Sequence, residues 1–147
     1  MKKYEGEFKN GQIEGNGIYF SKNGDFYEGE FKNSMKEGKG VFTFNSAENK
    51  YEGEFKKNKK HGLGALFYNG IKIFEGAYRN DKREGPGMEF YPSDGEKKLF
   101  EGSFEKGKRE GPGIEYWESG GKKFEDVWNF GVKNGKGKIW DQQGNPI

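Results

Sequence analysis

The chain contains no cysteine, a single histidine (His61) and a single threonine (Thr43). Without cysteine there is no disulfide framework and no thiolate metal site, which is compatible with a reducing compartment. With one histidine and no thiol, nucleophile–base sets are scarce. His61 sits beside Lys59 and Lys60 in a polar stretch and is expected on the surface of a hairpin loop. Aliphatic residues are also in short supply. Hydrophobic residues make up only 30% of the chain against 34% charged, yet aromatics reach 17%. A two-layer globule needs more aliphatic side chains, and disordered chains are poor in aromatics. An open structure that packs rings between neighbouring repeats satisfies both limits. No apolar run is long enough for a signal peptide or a membrane span, so the expected setting is cytoplasmic. The net charge of +2 is too small to predict nucleic-acid binding.

What the chain has is repetition. An aromatic residue followed by an acidic or glycine-flanked segment recurs at Tyr4, Tyr27, Tyr51, Phe74, Phe100 and Phe124. With that ring at position zero, Glu stands at plus one and Gly at plus two, plus eleven and plus thirteen, as in Gly53, Gly62 and Gly64. Seventeen of the eighteen glycine slots hold Gly, and Asp126 fills the other. The units start 23, 24, 23, 26 and 24 residues apart, while spacing inside a unit never changes. A fixed unit with a variable link marks a repeat array. The expected units are 4–26, 27–50, 51–73, 74–99, 100–123 and a degenerate, capping 124–147, all in one repeat domain spanning 1–147. The tail Trp140–Ile147 reads as a link toward a further unit.

Each unit predicts two short strands, from zero to about plus five and from plus eleven to about plus seventeen, joined by roughly five polar residues. The glycine count disfavours helix. The fold class is therefore all-β: tandem β-hairpins forming one elongated, twisted antiparallel sheet. Twelve strands at about 4.8 Å each give a strip roughly 55 Å long. If plus five pairs with plus eleven, then zero faces plus sixteen. One face then collects the aromatics, as in Tyr51, Gly53, Phe55, Ala65 and Phe67. The other carries the Glu row, the two later glycines and plus fifteen. A slip of one residue would exchange these sets.

Repetition itself bears on function. A catalytic site is normally singular, whereas this Glu recurs in every unit, so no enzyme activity, cofactor or metal site is expected. The Gly-x-Gly pairs lack a following Gly-Lys-Ser/Thr and open no helix, which argues against a phosphate loop. The Glu row at Glu5, Glu28, Glu52, Glu75 and Glu101, beside Tyr19, Phe42 and Leu66 and the rings Tyr27, Tyr51 and Phe74, suits an extended or helical partner segment with basic and apolar anchors. The bland alternative is a row of solvated carboxylates paired with Lys. Positions plus five to plus ten carry 0, +1, +4, +1, +1 and +1 in successive units, +8 in all, so a shared loop edge is basic. Lys56, Lys57, Lys59, Lys60, Lys82, Arg83, Lys108 and Arg109 could there meet an acidic membrane surface, or simply protect an edge. Interspersed Glu14, Glu37, Glu84 and Glu110 argue against nucleic acid. Free strands at both ends would also allow an end-to-end homodimer.

The unit resembles the MORN (membrane occupation and recognition nexus) repeat, through Tyr4-Glu5-Gly6-Glu7-Phe8-Lys9-Asn10-Gly11 and Gly15-Asn16-Gly17 and their copies. Asp126 departs from the pattern, and Pro86 and Pro112 inside Gly-x-Gly imply that the plus-twelve N–H is not needed in the ladder. The resemblance implies a curved single sheet and a scaffold or adaptor role at cytoskeletal, ciliary or membrane-associated sites. A lipid-binding module and the targeting domain of a larger enzyme are the alternatives; the resemblance does not fix the partner.

Overall fold

The computed structural model describes residues 3–45 and 48–147. The described residues form thirteen strands and no helix. These are β1 (Tyr4–Lys9), β2 (Gln12–Phe20), β3 (Phe26–Lys32), β4 (Met35–Thr43), β5 (Lys50–Lys56), β6 (Lys59–Tyr68), β7 (Ile71–Arg79), β8 (Lys82–Phe90), β9 (Lys98–Glu105), β10 (Lys108–Tyr116), β11 (Lys122–Asn129), β12 (Val132–Lys133) and β13 (Lys138–Ile139). They pair in sequence order as one open antiparallel sheet, and β12 and β13 both pair with β11. The meander places every hairpin loop on one long edge and every link on the other.

The hairpins are tighter than the five-residue loops expected from sequence. Strand pairing resumes at plus eight, as in Lys56 opposite Lys59. The two residues between have left-handed backbone in every unit, for example Lys57 (φ 48) and Asn58 (φ 72). Two successive positive φ values give the turn whose twist matches the flanking strands, which is why Asn and Gly crowd these positions. The register slips between plus two and plus four, as between Gly53 and Phe55. Gly62, on the bulged strand, takes φ 97 there, a conformation that glycine enters without the Cβ penalty.

The tight turn and the bulge together correct the expected register by one residue. Zero faces plus fifteen, as Tyr51 faces Leu66, and plus two faces plus thirteen, as Gly53 faces Gly64. Positions plus fourteen and plus sixteen therefore leave the ring face, and plus fifteen joins it.

The core is a file of rings on that face. Rings at zero and plus four alternate edge to face: Phe8, Tyr4, Phe31, Tyr27, Phe55, Tyr51, Tyr78, Phe74, Phe104, Phe100 and Trp128, with centroids 4.9–5.6 Å apart. Edge-to-face contact is the favoured geometry for aromatic quadrupoles. In units one to five each zero ring lies over its own glycine pair. A Cβ on Gly64 would overlap the Tyr51 ring, and one on Gly53 would meet the Gly64 backbone at 2.5 Å. The glycines thus let a ring pack directly on main chain. In the first three units the ring hydroxyl also donates to the plus-three carbonyl, Tyr27 to Glu30 at 2.8 Å and Tyr51 to Glu54 at 2.9 Å.

Candidate functional site

The fold distributes the predicted site residues over three surfaces. Tyr27, Tyr51 and Phe74, expected among partner contacts, are fully buried at 0% exposure. They are core rings clamped over glycine, so no partner reaches them. Tyr19, Phe42 and Leu66 stand at plus fifteen on the ring face, whereas Glu5, Glu28, Glu52, Glu75 and Glu101 stand on the opposite, outer face. One partner segment cannot touch both sets, and the cause is the one-residue register correction.

On the outer face the Glu row alternates with plus fourteen across the strands. Ile18, Glu28, Val41, Glu52, Ala65, Glu75, Met88, Glu101 and Ile114 are successive cross-strand neighbours. Most of these carboxylates already hold a lysine from their own strand. Lys50–Glu52 is 3.6 Å, Lys72–Glu75 2.8 Å, Lys98–Glu101 2.6 Å and Lys122–Glu125 3.0 Å. The same lysines lie over the plus-sixteen rings, Lys50 over Phe67 at 5.0 Å and Lys98 over Tyr116 at 5.2 Å. Sequence reasoning missed these triads, although a lysine one or two residues ahead of the ring in every unit but the second signals them. Unit two has Asp25-Phe26 there instead, so no lysine of its strand reaches Glu28.

Between the Glu row and the plus-twelve residues runs an open trough floored by glycine backbone. One part of it, about 500 Å³, is lined by Glu28, Gly29, Lys39, Gly40, Val41, Glu52, Gly53, Glu54 and Leu63. It continues along Glu52, Leu63, Gly64, Ala65, Phe67, Lys72, Glu75 and Gly76. Leu63 is 66% exposed in the middle of it.

The far wall of the trough changes along the molecule. In units one to three the plus-three Glu accepts the plus-twelve N–H: Glu7 from Asn16, Glu30 from Lys39 and Glu54 from Leu63, at 2.5–2.6 Å. In units four and five plus twelve is Pro86 or Pro112, with no N–H to satisfy, and plus three is Ala77 or Ser103. The expectation that this amide lies outside the ladder holds, because it sits at the bulge. In unit six Asp126 replaces the first glycine, and its Oδ2 accepts the Gly135 N–H at 3.1 Å.

The loop edge holds Lys56, Lys57, Lys59, Lys82 and Lys108, all exposed. Lys60, Arg83 and Arg109, expected beside them, are instead half-buried on the ring face at plus nine. Lys60 Nζ is 5.3 Å from the Tyr51 ring, and the Arg83 and Arg109 guanidinium carbons are 4.1 Å and 4.0 Å from Phe74 and Phe100. Their role is to cover core rings by cation–π contact. A cation at a constant offset in five units, Lys36, Lys60, Arg83, Arg109 and Lys133, is the signal that counting loop charge obscured.

Plus ten joins one unit to the next. Glu14, Glu37, Glu84 and Glu110 accept the first loop amide of the following unit, from Asn33, Lys57, Lys106 and Phe130. His61 occupies this position in unit three, within β6 and half-buried rather than in a loop, and its Nδ1 is buried without a hydrogen-bond partner. Among the described residues no group of three or more His, Cys, Asp or Glu could hold a metal ion.

No curated protein matches the chain. The family profile of the MORN repeat matches residues 4–26, 27–46, 51–71, 74–96, 100–122 and 127–145. The last match begins just past Asp126, where the first glycine is lost. MORN repeats are generally protein- or membrane-interaction modules. Six in-phase matches, on an open sheet of tandem hairpins whose rings pack on paired glycines, make this chain a member of the MORN repeat family.

Proposed function

We propose that the protein is a non-catalytic interaction scaffold that holds a segment of a partner protein along its outer face. The carrying observation is the glycine-floored trough spanning units two to four. It combines an exposed apolar anchor point at Leu63, aliphatic Val41 and Ala65, and the carboxylate of Glu28, which no lysine of its own strand reaches. Such a surface suits a segment with one basic and several apolar side chains. The lysine-paired glutamates contribute register more than affinity, since exposed ion pairs are worth little.

A photoreactive amino acid at position 63 tests this in the source cell. It should capture a defined partner, and the purified partner should bind at least about tenfold more weakly to Glu28→Lys with Leu63→Glu. A second reading rests on the loop edge, where exposed Lys56, Lys57, Lys59, Lys82 and Lys108 share one side with Phe130 and Val132. Capture of the chain by phosphatidylserine vesicles, lost on changing Lys56, Lys57 and Lys59 to Glu and indifferent to Leu63→Glu, would favour that membrane-facing reading instead.

A further inference from the structure

The ring face carries cations at plus nine, and the two halves of the molecule treat them differently. In unit five, Arg109 lies over Phe100 and is bridged by two carboxylates, Glu89 at 2.9 Å and Glu115 at 2.8 Å. Both glutamates stand at plus fifteen, in units four and five. In units two and three the plus-fifteen residues are Phe42 and Leu66. The plus-nine cations there, Lys36 and Lys60, have no carboxylate within ion-pair distance among the described residues. Lys36 Nζ lies 5.0 Å from the Phe42 ring and 5.7 Å from Tyr27; Lys60 Nζ lies 5.3 Å from Tyr51 and 5.8 Å from Phe44. Both ammonium groups line one open pocket of about 300 Å³, with Phe42, Phe44, Asn58 and Asp81.

We infer that this pocket is an acidic-segment site: a glutamate or aspartate of a partner protein enters between Lys36 and Lys60 and supplies the carboxylate that Glu89 and Glu115 supply to Arg109. Phe42 and Phe44, in edge contact at 5.0 Å, form the apolar shelf beside it. Asp81 does not fill the role. Its Oδ1 accepts the Lys60 backbone N–H at 2.8 Å, so it is turned to the main chain, and its single negative charge is shared between two lysines. Burial lowers the pKa of both lysines, and the Asp81 carboxylate opposes that shift. An incoming carboxylate would relieve the same desolvation. This site lies on the face opposite the trough of the proposed function and selects the opposite charge.

The probe is a fluorescein-labelled hexapeptide alternating phenylalanine and glutamate, with a lysine-for-glutamate version as control, read by fluorescence anisotropy on the full chain. The glutamate peptide should bind and the lysine peptide should not. Lys36→Met with Lys60→Met should weaken binding at least about tenfold. Lys36→Arg with Lys60→Arg, which keeps both cations, should stay within about twofold of the parent. Phe42→Glu with Leu66→Glu, which lets the chain fill its own site, should also lose the peptide while circular dichroism remains that of the parent. Four results would overturn the proposal. They are no binding of the glutamate peptide at millimolar concentration, equal binding of the lysine peptide, undiminished binding to the methionine variant, and uptake by phosphatidylserine vesicles that depends on Lys36 and Lys60 where the peptide does not.

Discussion

Units one to three and units four and five build the same hairpin with different chemistry. The first set puts Tyr over the glycine pair, ties the plus-three Glu to the plus-twelve amide, and leaves aliphatic or aromatic side chains at plus fifteen. The second set has Phe over the glycines, replaces the Glu–amide bond with Pro, and bridges Arg109 to two glutamates. Positions that touch therefore change together, while the ring-on-glycine contact stays fixed. That contact defines the fold, and the rest of the unit is free to be polar inside the sheet or polar toward a partner.

If the ring-on-glycine contact is common to both halves, breaking it should be equally severe in each. Gly64→Val, under Tyr51, and Gly113→Val, under Phe100, should each cost about 3 kcal/mol or more, as overpacking of a rigid site does. Chemical denaturation measures this, and a mild effect in either half would mean the rings can lift away. Next comes the plus-nine cation. Arg109→Met leaves Glu89 and Glu115 about four-fifths covered without a partner, and should cost about 2–3 kcal/mol after allowance for partial solvation. Lys60→Met leaves no carboxylate stranded at ion-pair distance and should cost under about 1 kcal/mol.

The tyrosines at position zero in units one to three should also add an alkaline sensitivity that the phenylalanines at position zero in units four and five cannot. Burial raises the pKa of Tyr27 and Tyr51, with Glu30 adding for the first and Tyr78 and Glu54 for the second. The folded chain then keeps protons that the unfolded chain releases near pH 10. Their contribution is complete below that pH and is lost as pH rises from the unfolded toward the folded value. Tyr27→Phe with Tyr51→Phe should flatten the fall in melting temperature between pH 9 and 11, leaving a residual slope from Tyr78, whose pKa burial also raises. The smallest effects belong to the amide clasps. Glu54→Ala frees the Leu63 N–H and should cost about 1 kcal/mol, whereas Ala77→Glu opposite Pro86 should gain nothing. His61→Glu should restore the missing clasp to the loop of unit four, adding about 0.5–1 kcal/mol and slowing amide exchange at Asn80.

The repeat, the all-β class and the aromatic face were legible in the sequence because ring and glycine spacing never varies. The register was not, since it depends on two devices that sequence spacing alone blurs. A two-residue turn was hidden inside a longer polar stretch, although Asn10-Gly11 and Asn80-Asp81 are characteristic of it. A bulge around plus eleven then adds two residues on one strand only. Together they carried Leu66 and Phe42 to the face opposite Glu52. The plus-nine cations were misplaced for a related reason, because Lys60 and Lys59 look alike in sequence while strand alternation sends one over a ring and the other into solvent. His61 reads as a loop residue in sequence because the lysine-rich stretch before it hides the start of β6 at Lys59.

The file of rings from Phe8 to Trp128 is one ring thick. It has length but no centre: every ring between its two ends has a neighbour ahead and behind, and none is enclosed by a second layer. A molecule organised this way can gain or lose a whole hairpin without any remaining ring needing a new partner shape. Its reach can be altered in steps of two strands while the surface of each remaining unit is left as it was.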